Sequence, residues 1–290
     1  MLEKGKKNNN KIDQLDHELL LSLVLQKSRE YTISHPEISL SFFQKIKLKN
    51  FINKRKRGLP LAYITGRKEF FGLDFLVNKH TLIPRPDTEL IVELAIEKIN
   101  KQSSIDNKQM ILVDVGTGSG CIPIALIKNL STQTRKHLDV FATDSSKSAL
   151  RVAKKNAERH QIDIQFLHGN LLTPIIKNHL LSPISYRYII TANLPYLTQA
   201  QFDAEPSIQH EPYSALVADN NGLSLYEELL QQIKQLATSH KLPAISCFFE
   251  IDPSQSSHMS TLIQTYLPGS SIEIKKDLAG QDRVATLTLD

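Results

Sequence analysis

The chain has 290 residues with 41% apolar, 22% charged and 7% aromatic side chains, enough for a packed core and unlike a fibrous or disordered polymer. Two cysteines, Cys121 and Cys247, are too few and too far apart for a disulfide scaffold or a metal site, and no apolar run approaches the ~18 residues of a membrane span, so a cytoplasmic protein is the default. The formal charge of +5 is lopsided, with net +8 in residues 1–70 and net −3 in the rest, which points either to a solvated basic face around Lys54-Arg55-Lys56-Arg57 or to docking on something anionic.

Residues 1–11, rich in Lys and Asn with no apolar stretch behind them, read as a disordered tail and not as a secretory signal. From Ile12 to about Arg57 apolar residues recur three and four apart: Leu15, Leu19, Leu20, Leu23 and Val24, then Phe42, Phe43, Ile46 and Phe51 beyond the break at Ser34-His35-Pro36. This predicts a small helical domain over 12–66. Two short apolar runs around Gly72, between Glu69 and Val77, predict a hairpin. Ile83-Pro84-Arg85-Pro86 must be extended, because a residue before proline is pushed out of the helical region. Hairpin and connector together fill 67–86, and Asp87 or Thr88 then caps a helix to about Ile99 that opens a domain over 87–290.

From Met110 strands and helices alternate. Strands are expected at 110–115, 138–143, 164–167, 188–192, 245–251, 272–276 and 283–289, with helices at 121–130, 148–160 and 223–236. The pattern predicts an α/β, Rossmann-like, mostly parallel sheet covered by helices on both faces. The tight final pair adds one antiparallel strand near the C-terminus.

The loop Gly116-Thr117-Gly118-Ser119-Gly120 lies where a buried strand turns into a helix. Glycine permits the tight turn and a close ligand approach, and the helix start offers N–H groups. A dinucleotide fingerprint needs its third Gly at position 121, where Cys121 stands. The spacing fits instead the loop that takes the amino-acid end of S-adenosylmethionine, with a purely structural turn as the alternative. Asp144, 24 residues beyond Gly120, can accept both ribose hydroxyls or cap the next helix. Asn170 could bond the adenine amino group and Leu171 pack on the ring, or the two could form a plain loop.

Asn193-Leu194-Pro195-Tyr196 ends the fourth strand and carries the most information. An amide or aromatic exocyclic nitrogen is a poor nucleophile because its lone pair is delocalised. Two acceptors that take both its N–H groups hold it in place and favour the pyramidal geometry that frees the pair. The Asn193 side-chain oxygen and the Leu194 carbonyl can supply them, Pro195 fixes the backbone, and Tyr196 offers a flat face to a planar group. In-line methyl transfer with proton loss to water is the expected chemistry.

Gly116 to Gly120, Asp144 and Asn193 to Tyr196 together resemble a class I S-adenosylmethionine-dependent N-methyltransferase. Pro60-Leu61-Ala62-Tyr63-Ile64-Thr65-Gly66, Glu69-Phe70-Phe71-Gly72-Leu73, Ile83-Pro84-Arg85-Pro86-Asp87-Thr88-Glu89, the run from Asp114 to Ile122, and Asp282-Arg283-Val284 narrow the resemblance to the peptide-chain release factor glutamine methyltransferases (PrmC/HemK). The resemblance implies N5-methylation of the glutamine in the Gly-Gly-Gln loop of bacterial-type release factors, leaving S-adenosylhomocysteine. It implies a monomer that uses no metal, membrane or nucleic-acid substrate. It places the cofactor on Gly116, Thr117, Gly118, Ser119, Gly120, Asp144, Asn170, Leu171 and Asn193. The glutamine falls on Asn193, Leu194, Pro195 and Tyr196 as catalytic residues, and the basic helical domain helps dock the release factor.

The chain departs from the family pattern in three places. Leu194 stands where the family usually has Pro, as in ribosomal-RNA adenine dimethyltransferases; Asn170-Leu171 replaces an acidic-aromatic pair; Asp252 replaces a Gly after the fifth-strand Glu250-Ile251. An RNA or DNA adenine-N6 methyltransferase and a non-catalytic translation-associated binding protein are the rival readings.

Overall fold

The computed structural model describes residues 12–105, 109–178, 186–240 and 244–289, so the tail expected at 1–11 lies outside the described residues. The chain divides into two compact units, 1–67 and 68–290. The first contains α1 (Gln14–Leu25), α2 (Arg29–Ser34), α3 (Phe42–Lys56) and α4 (Leu61–Thr65). Local chemistry starts these helices: Asp13 and Ser28 accept from first-turn amides, and Ser41 forms a reciprocal capping box with Gln44. Leu20, Val24, Leu48 and Ile64 form the core of this unit.

Phe42 and Phe43, by contrast, are 72% and 80% exposed, and Ile46 is also exposed. Their spacing identifies α3 as a helix but not its packed face, which is carried by Leu48 with Phe51 and Ile52 partly buried. Periodicity fixes which residues share a side, not which side meets a neighbour.

The hairpin β1 (Arg67–Phe70) and β2 (Leu73–Leu76) turns through Phe71 and Gly72, both at positive φ. The approach to α5 (Glu89–Ile105) differs from the expected cap. A 3-10 turn over Pro86–Thr88 leads into it, no side chain caps that turn, and the helix runs past Ile99. Thr88 is 2% exposed and engaged elsewhere.

The remaining elements are β3 (Met110–Val115), α6 (Cys121–Asn129), α7 (Thr132–Arg135), β4 (Leu138–Asp144), α8 (Lys147–His160), β5 (Gln165–His168) and α9 (Thr173–Lys177). They are followed by β6 (Arg187–Ala192), α10 (Gln199–Ala204), α11 (Asp219–Gly222), α12 (Ser224–His240), β7 (Ala244–Glu250), α13 (Ser256–Tyr266), β8 (Ser271–Lys276) and β9 (Asp282–Leu289).

Seven strands form one sheet in the order β5-β4-β3-β6-β7-β9-β8. β3 pairs in parallel with β4 and β6, and β9 runs antiparallel to both β7 and β8, so a single strand is reversed. All six residues of β3 are buried, as a central strand covered on both faces requires. One face packs Val113, Ile190, Tyr226 and Ile263; the other packs Ile91, Leu112, Ile124 and Ile189. Among the described residues no helix is long and apolar enough to cross a membrane.

The sheet positions the site. Val115 is in register with Thr143 on one side and Ala192 on the other. The turn after β3 therefore stands between Asp144 and Asn193 at the carboxyl ends of the strands. The chain runs outward through β4 and β5, then returns to place β6 on the other side of β3. This is a topological switch point, where open α/β sheets bind their ligands.

Candidate active site

A cavity of about 310 Å3 opens at this switch point. Gly116 to Ser119, Asp144, Asn170, Leu171 and Asn193 to Pro195 all line it, together with Arg85 and Thr88 from the segment before α5. Gly120 and Tyr196 do not. Gly120 sits behind the wall at φ 79°, where an added Cβ would meet Ala153 and Ile124 at 3.2 and 3.3 Å. Tyr196 lines a smaller neighbouring cavity of about 110 Å3 with Arg85, Asn193 and Leu194.

The Gly turn is held by its own backbone. The amides of Gly116 and Thr117 donate to the Thr143 carbonyl at 2.9 and 3.0 Å, and that of Gly120 to Thr117 at 2.8 Å. The Gly118 amide donates to Asp144 Oδ2 at 2.8 Å. These four N–H groups are thus committed to the turn and to the end of β4, and α6 begins beyond them at Cys121. Glycine at 116 is demanded twice: φ is 70°, and a Cβ would lie 2.9 Å from the Leu194 side chain.

Asp144 Oδ1 also accepts from the Ser146 amide at 2.7 Å, but the cap of the next helix is Ser146, whose hydroxyl accepts from the Ala149 amide at 3.1 Å; Asp144 closes the turn and lines the cavity. Burial raises its pKa, with the Ser146 and Gly118 amides opposing the rise. Behind the turn, Asp114 is fully buried; Thr191 donates to its Oδ1 at 2.7 Å, while Oδ2 and the Thr117 hydroxyl have no hydrogen-bond partner. Burial pushes the Asp114 carboxyl up to about 7, with the hydroxyls of Thr117 and Thr191 pulling the other way. Cys121 also lines the cavity, but burial drives its thiol up to about 12, so it is no nucleophile at neutral pH. Asn170 donates to Glu228 at 2.6 Å, and Leu171 is buried in the left-handed region at φ 46°.

The turn after β6 is supported from a distance. Asn193 Nδ2 donates to Thr88 Oγ1 at 2.9 Å. Among the described residues no donor meets Asn193 Oδ1 or the Leu194 carbonyl, which leaves two acceptors at the cavity. The Leu194 side chain is 3% exposed and packs in the core. Leucine at this position thus adds an apolar side chain to the core, and its backbone carbonyl remains available as an acceptor. Tyr196 donates to Glu250 Oε1 at 3.0 Å, and burial beside this carboxylate raises the Tyr196 phenol well above its ordinary value.

Several supports escape a reading of the sequence. The fully buried Tyr226 hydroxyl accepts from the Leu194 amide at 3.2 Å and donates to the Glu250 carbonyl. Gln255 Nε2 donates to the Tyr196 and Asn221 carbonyls at 2.9 and 2.7 Å. Asp252, at the position that departs from the family, forms the capping box that holds Gln255. Glu211, buried, accepts from the Ile83 amide at 2.9 Å and pairs with Arg85, pinning the extended Ile83–Pro86 segment beside the cavity. Apart from the local Asp252–Gln255 box, only their distant partners identify these residues.

Residues 6–66 match the PrmC N-terminal domain, and residues 106–254 match a methyltransferase domain. The release factor glutamine methyltransferase of Coxiella burnetii is 33% identical over 277 residues, 94% of this chain and 91% of that protein. The one from Bacillus subtilis is 36% identical over 239 residues, 82% of this chain and 78% of that protein. Among solved structures, the hMettl16 catalytic domain in complex with a 3′UTR hairpin covers 98% of this chain and 94% of its own at a TM-score of 0.57 and 16% identity. The N-terminal domain of human METTL16 in complex with SAH aligns at a TM-score of 0.51 and 20% identity, over 98% of this chain and 97% of its own. At that identity the likeness is one of fold. The fold is shared with those solved structures, while sequence similarity over most of the chain is shared with the release factor glutamine methyltransferases. On that ground this chain belongs to the release factor glutamine methyltransferase family.

Proposed function

We propose that this chain transfers the methyl group of S-adenosylmethionine to the side-chain N5 of the glutamine in the Gly-Gly-Gln loop of bacterial-type release factors, as a cytoplasmic monomer acting on protein and not on nucleic acid. The carrying observation is the orientation of Asn193, whose nitrogen is tied to Thr88 so that its oxygen is left to the cavity beside the Leu194 carbonyl. Two acceptors match the two hydrogens of one carboxamide nitrogen. The relatives, named as release factor glutamine methyltransferases, supply the substrate class.

The residues present suit the cofactor. Asp114 Oδ2 is a buried carboxylate oxygen with no partner, an acceptor suited to a cationic amino group. The turn from Gly116 to Gly120 would receive the amino-acid end, Asp144 the ribose, and Asn170 with Leu171 the adenine. When bound, S-adenosylmethionine supplies an electrophilic methyl on a sulfonium. The protein's part is positioning: Asn193 and Leu194 take both amide hydrogens, localise the nitrogen lone pair and aim it. Tyr196 keeps its proton, so the one lost by the product nitrogen goes to water.

Incubating the full chain with methyl-labelled cofactor and either purified release factor or ribosomal RNA tests the reading. Mass spectrometry is expected to find one added methyl on the Gly-Gly-Gln peptide. Label on RNA alone would favour the adenine-N6 reading that Leu194 suggests. No label on either, with no rise in melting temperature on adding cofactor, would mark a non-catalytic binding protein.

A further inference from the structure

We propose that Glu250 and Thr88 form a relay that fixes which way the Asn193 carboxamide points, making both of them positioning residues for methyl transfer. The proposal rests on the reading above and deepens it. Thr88 and Glu250 are 2% and 1% exposed, so a missing hydrogen-bond partner on either is costly. Thr88 Oγ1 accepts from Asn193 Nδ2 at 2.9 Å, and its own hydrogen then needs an acceptor. Glu250 Oε1 is taken by the Tyr196 hydroxyl at 3.0 Å, while Oε2 is buried with no hydrogen-bond partner. The Thr88 hydroxyl bears on this carboxylate and favours its charged form. The relay pairs the two groups left over, a buried hydroxyl hydrogen that needs an acceptor and a buried carboxylate oxygen that has no donor.

The consequence follows from donor and acceptor counting. An ionised carboxylate only accepts. In that form Glu250 claims the Thr88 hydrogen and leaves Thr88 a lone pair, to which Asn193 can present only its nitrogen. The Asn193 oxygen is turned toward the cavity as a result. The reverse orientation would set an oxygen against the Thr88 lone pair and offer the substrate nitrogen a donor where it needs an acceptor. The same side chain also anchors Tyr196, so one buried carboxyl group sets both ends of the Asn193–Tyr196 turn. Burial raises the Glu250 pKa, with Asp87 adding to the rise, while Thr88, Tyr196 and Arg283 act against it.

The experiment uses the full chain and three variants: Thr88→Val, which keeps shape and removes the hydroxyl; Thr88→Ser, which restores it; and Glu250→Gln, which puts an amide donor where only an acceptor stood. With release factor as substrate, Thr88→Val and Glu250→Gln are expected to lower kcat on the order of 100-fold, with KM for both substrates within about 3-fold, and Thr88→Ser to recover most of the rate. Nitrogen-edited NMR of the Asn193 side-chain amide, which needs no turnover, is expected to show one bonded proton in the wild type and Thr88→Ser. That signature is expected to vanish in Thr88→Val and Glu250→Gln.

An unchanged Asn193 signature in Thr88→Val, or a kcat within 2-fold of wild type in that variant, overturns the relay. Should Glu250→Gln fail to fold, Thr88→Val decides. If the wild type methylates no release factor but the signature responds as expected, the relay stands and the substrate assignment falls.

Discussion

The wall of the cavity formed by the Gly116–Gly120 turn is closed by bonds within that turn and to the end of the neighbouring strand, at Thr143 and Asp144. The opposite wall, the Asn193–Tyr196 turn, is held by side chains that lie 32 to 105 positions away in sequence: Tyr226, Glu250, Gln255 and Thr88. The first wall is a backbone device, and its geometry follows from glycine. The second is a side-chain device assembled by the sheet, with functional atoms no better placed than distant supports make them. A backbone wall tolerates changes among its neighbours, whereas a side-chain wall fails with any of its struts.

Removing the acceptor itself is expected to have the largest effect on this contrast. Asn193→Ala takes away one of two groups that localise the nitrogen lone pair, and turnover is expected to fall on the order of 10²–10³-fold. Affinity for S-adenosylhomocysteine, measured by calorimetry, is expected to stay within a few-fold, because the other wall is untouched. Near wild-type methylation would remove Asn193 from its role.

A pair of glycine substitutions sharpens the comparison. At Gly222, φ is 81° and an added Cβ would lie 1.9 Å from the Tyr196 carbonyl oxygen. At Gly118, φ is 55° and the nearest atom, the Gly116 carbonyl oxygen, is 4.0 Å away. Both alanines carry the left-handed penalty of about 1–2 kcal/mol, but only Gly222→Ala adds a clash worth about 1–3 kcal/mol. Urea unfolding is expected to rank Gly222→Ala clearly below Gly118→Ala, and the former to lose turnover as well. Equal stabilities would mean that the strand-end turn is not braced by α11.

A last prediction concerns pH. The Asp114 carboxyl is pushed from 3.8 to about 7 by burial, so the folded chain keeps a proton that the unfolded chain releases. A carboxyl raised on folding contributes stability below its unfolded value, and that contribution is lost as pH rises through the folded one. Between about pH 4 and 7 the apo protein is therefore expected to lose stability relative to Asp114→Asn. Parallel curves for the two proteins would show that Asp114 does not titrate as its burial requires.

Much of the site is legible because its chemistry is contiguous. The Gly turn, Asp144 and Asn193-Leu194-Pro195-Tyr196 stand out as short strings at strand ends, and all but Gly120 and Tyr196 reach the main cavity. Thr88 reads as a helix cap and in the fold serves as the acceptor for Asn193. Glu250 reads as the end of a strand, and Gln255 and Tyr226 read as nothing in particular. The Phe42 and Phe43 stripe shows the limit from the other direction, since its spacing is sound for a helix while both rings stay exposed.

The alternation of strands and helices, the glycines at the tight turn and the residue types able to seize a planar nitrogen are legible in the order of residues alone. These are properties of one residue and its near neighbours: backbone sterics, hydrophobic period and functional-group chemistry. The tertiary structure alone decided which oxygen faces the cavity, which carboxyl is buried and which hydroxyl lacks an acceptor. A hydrogen bond depends on distance and direction in space, and only the packed sheet brings Thr88, Asn193, Tyr226 and Glu250 within reach of one another.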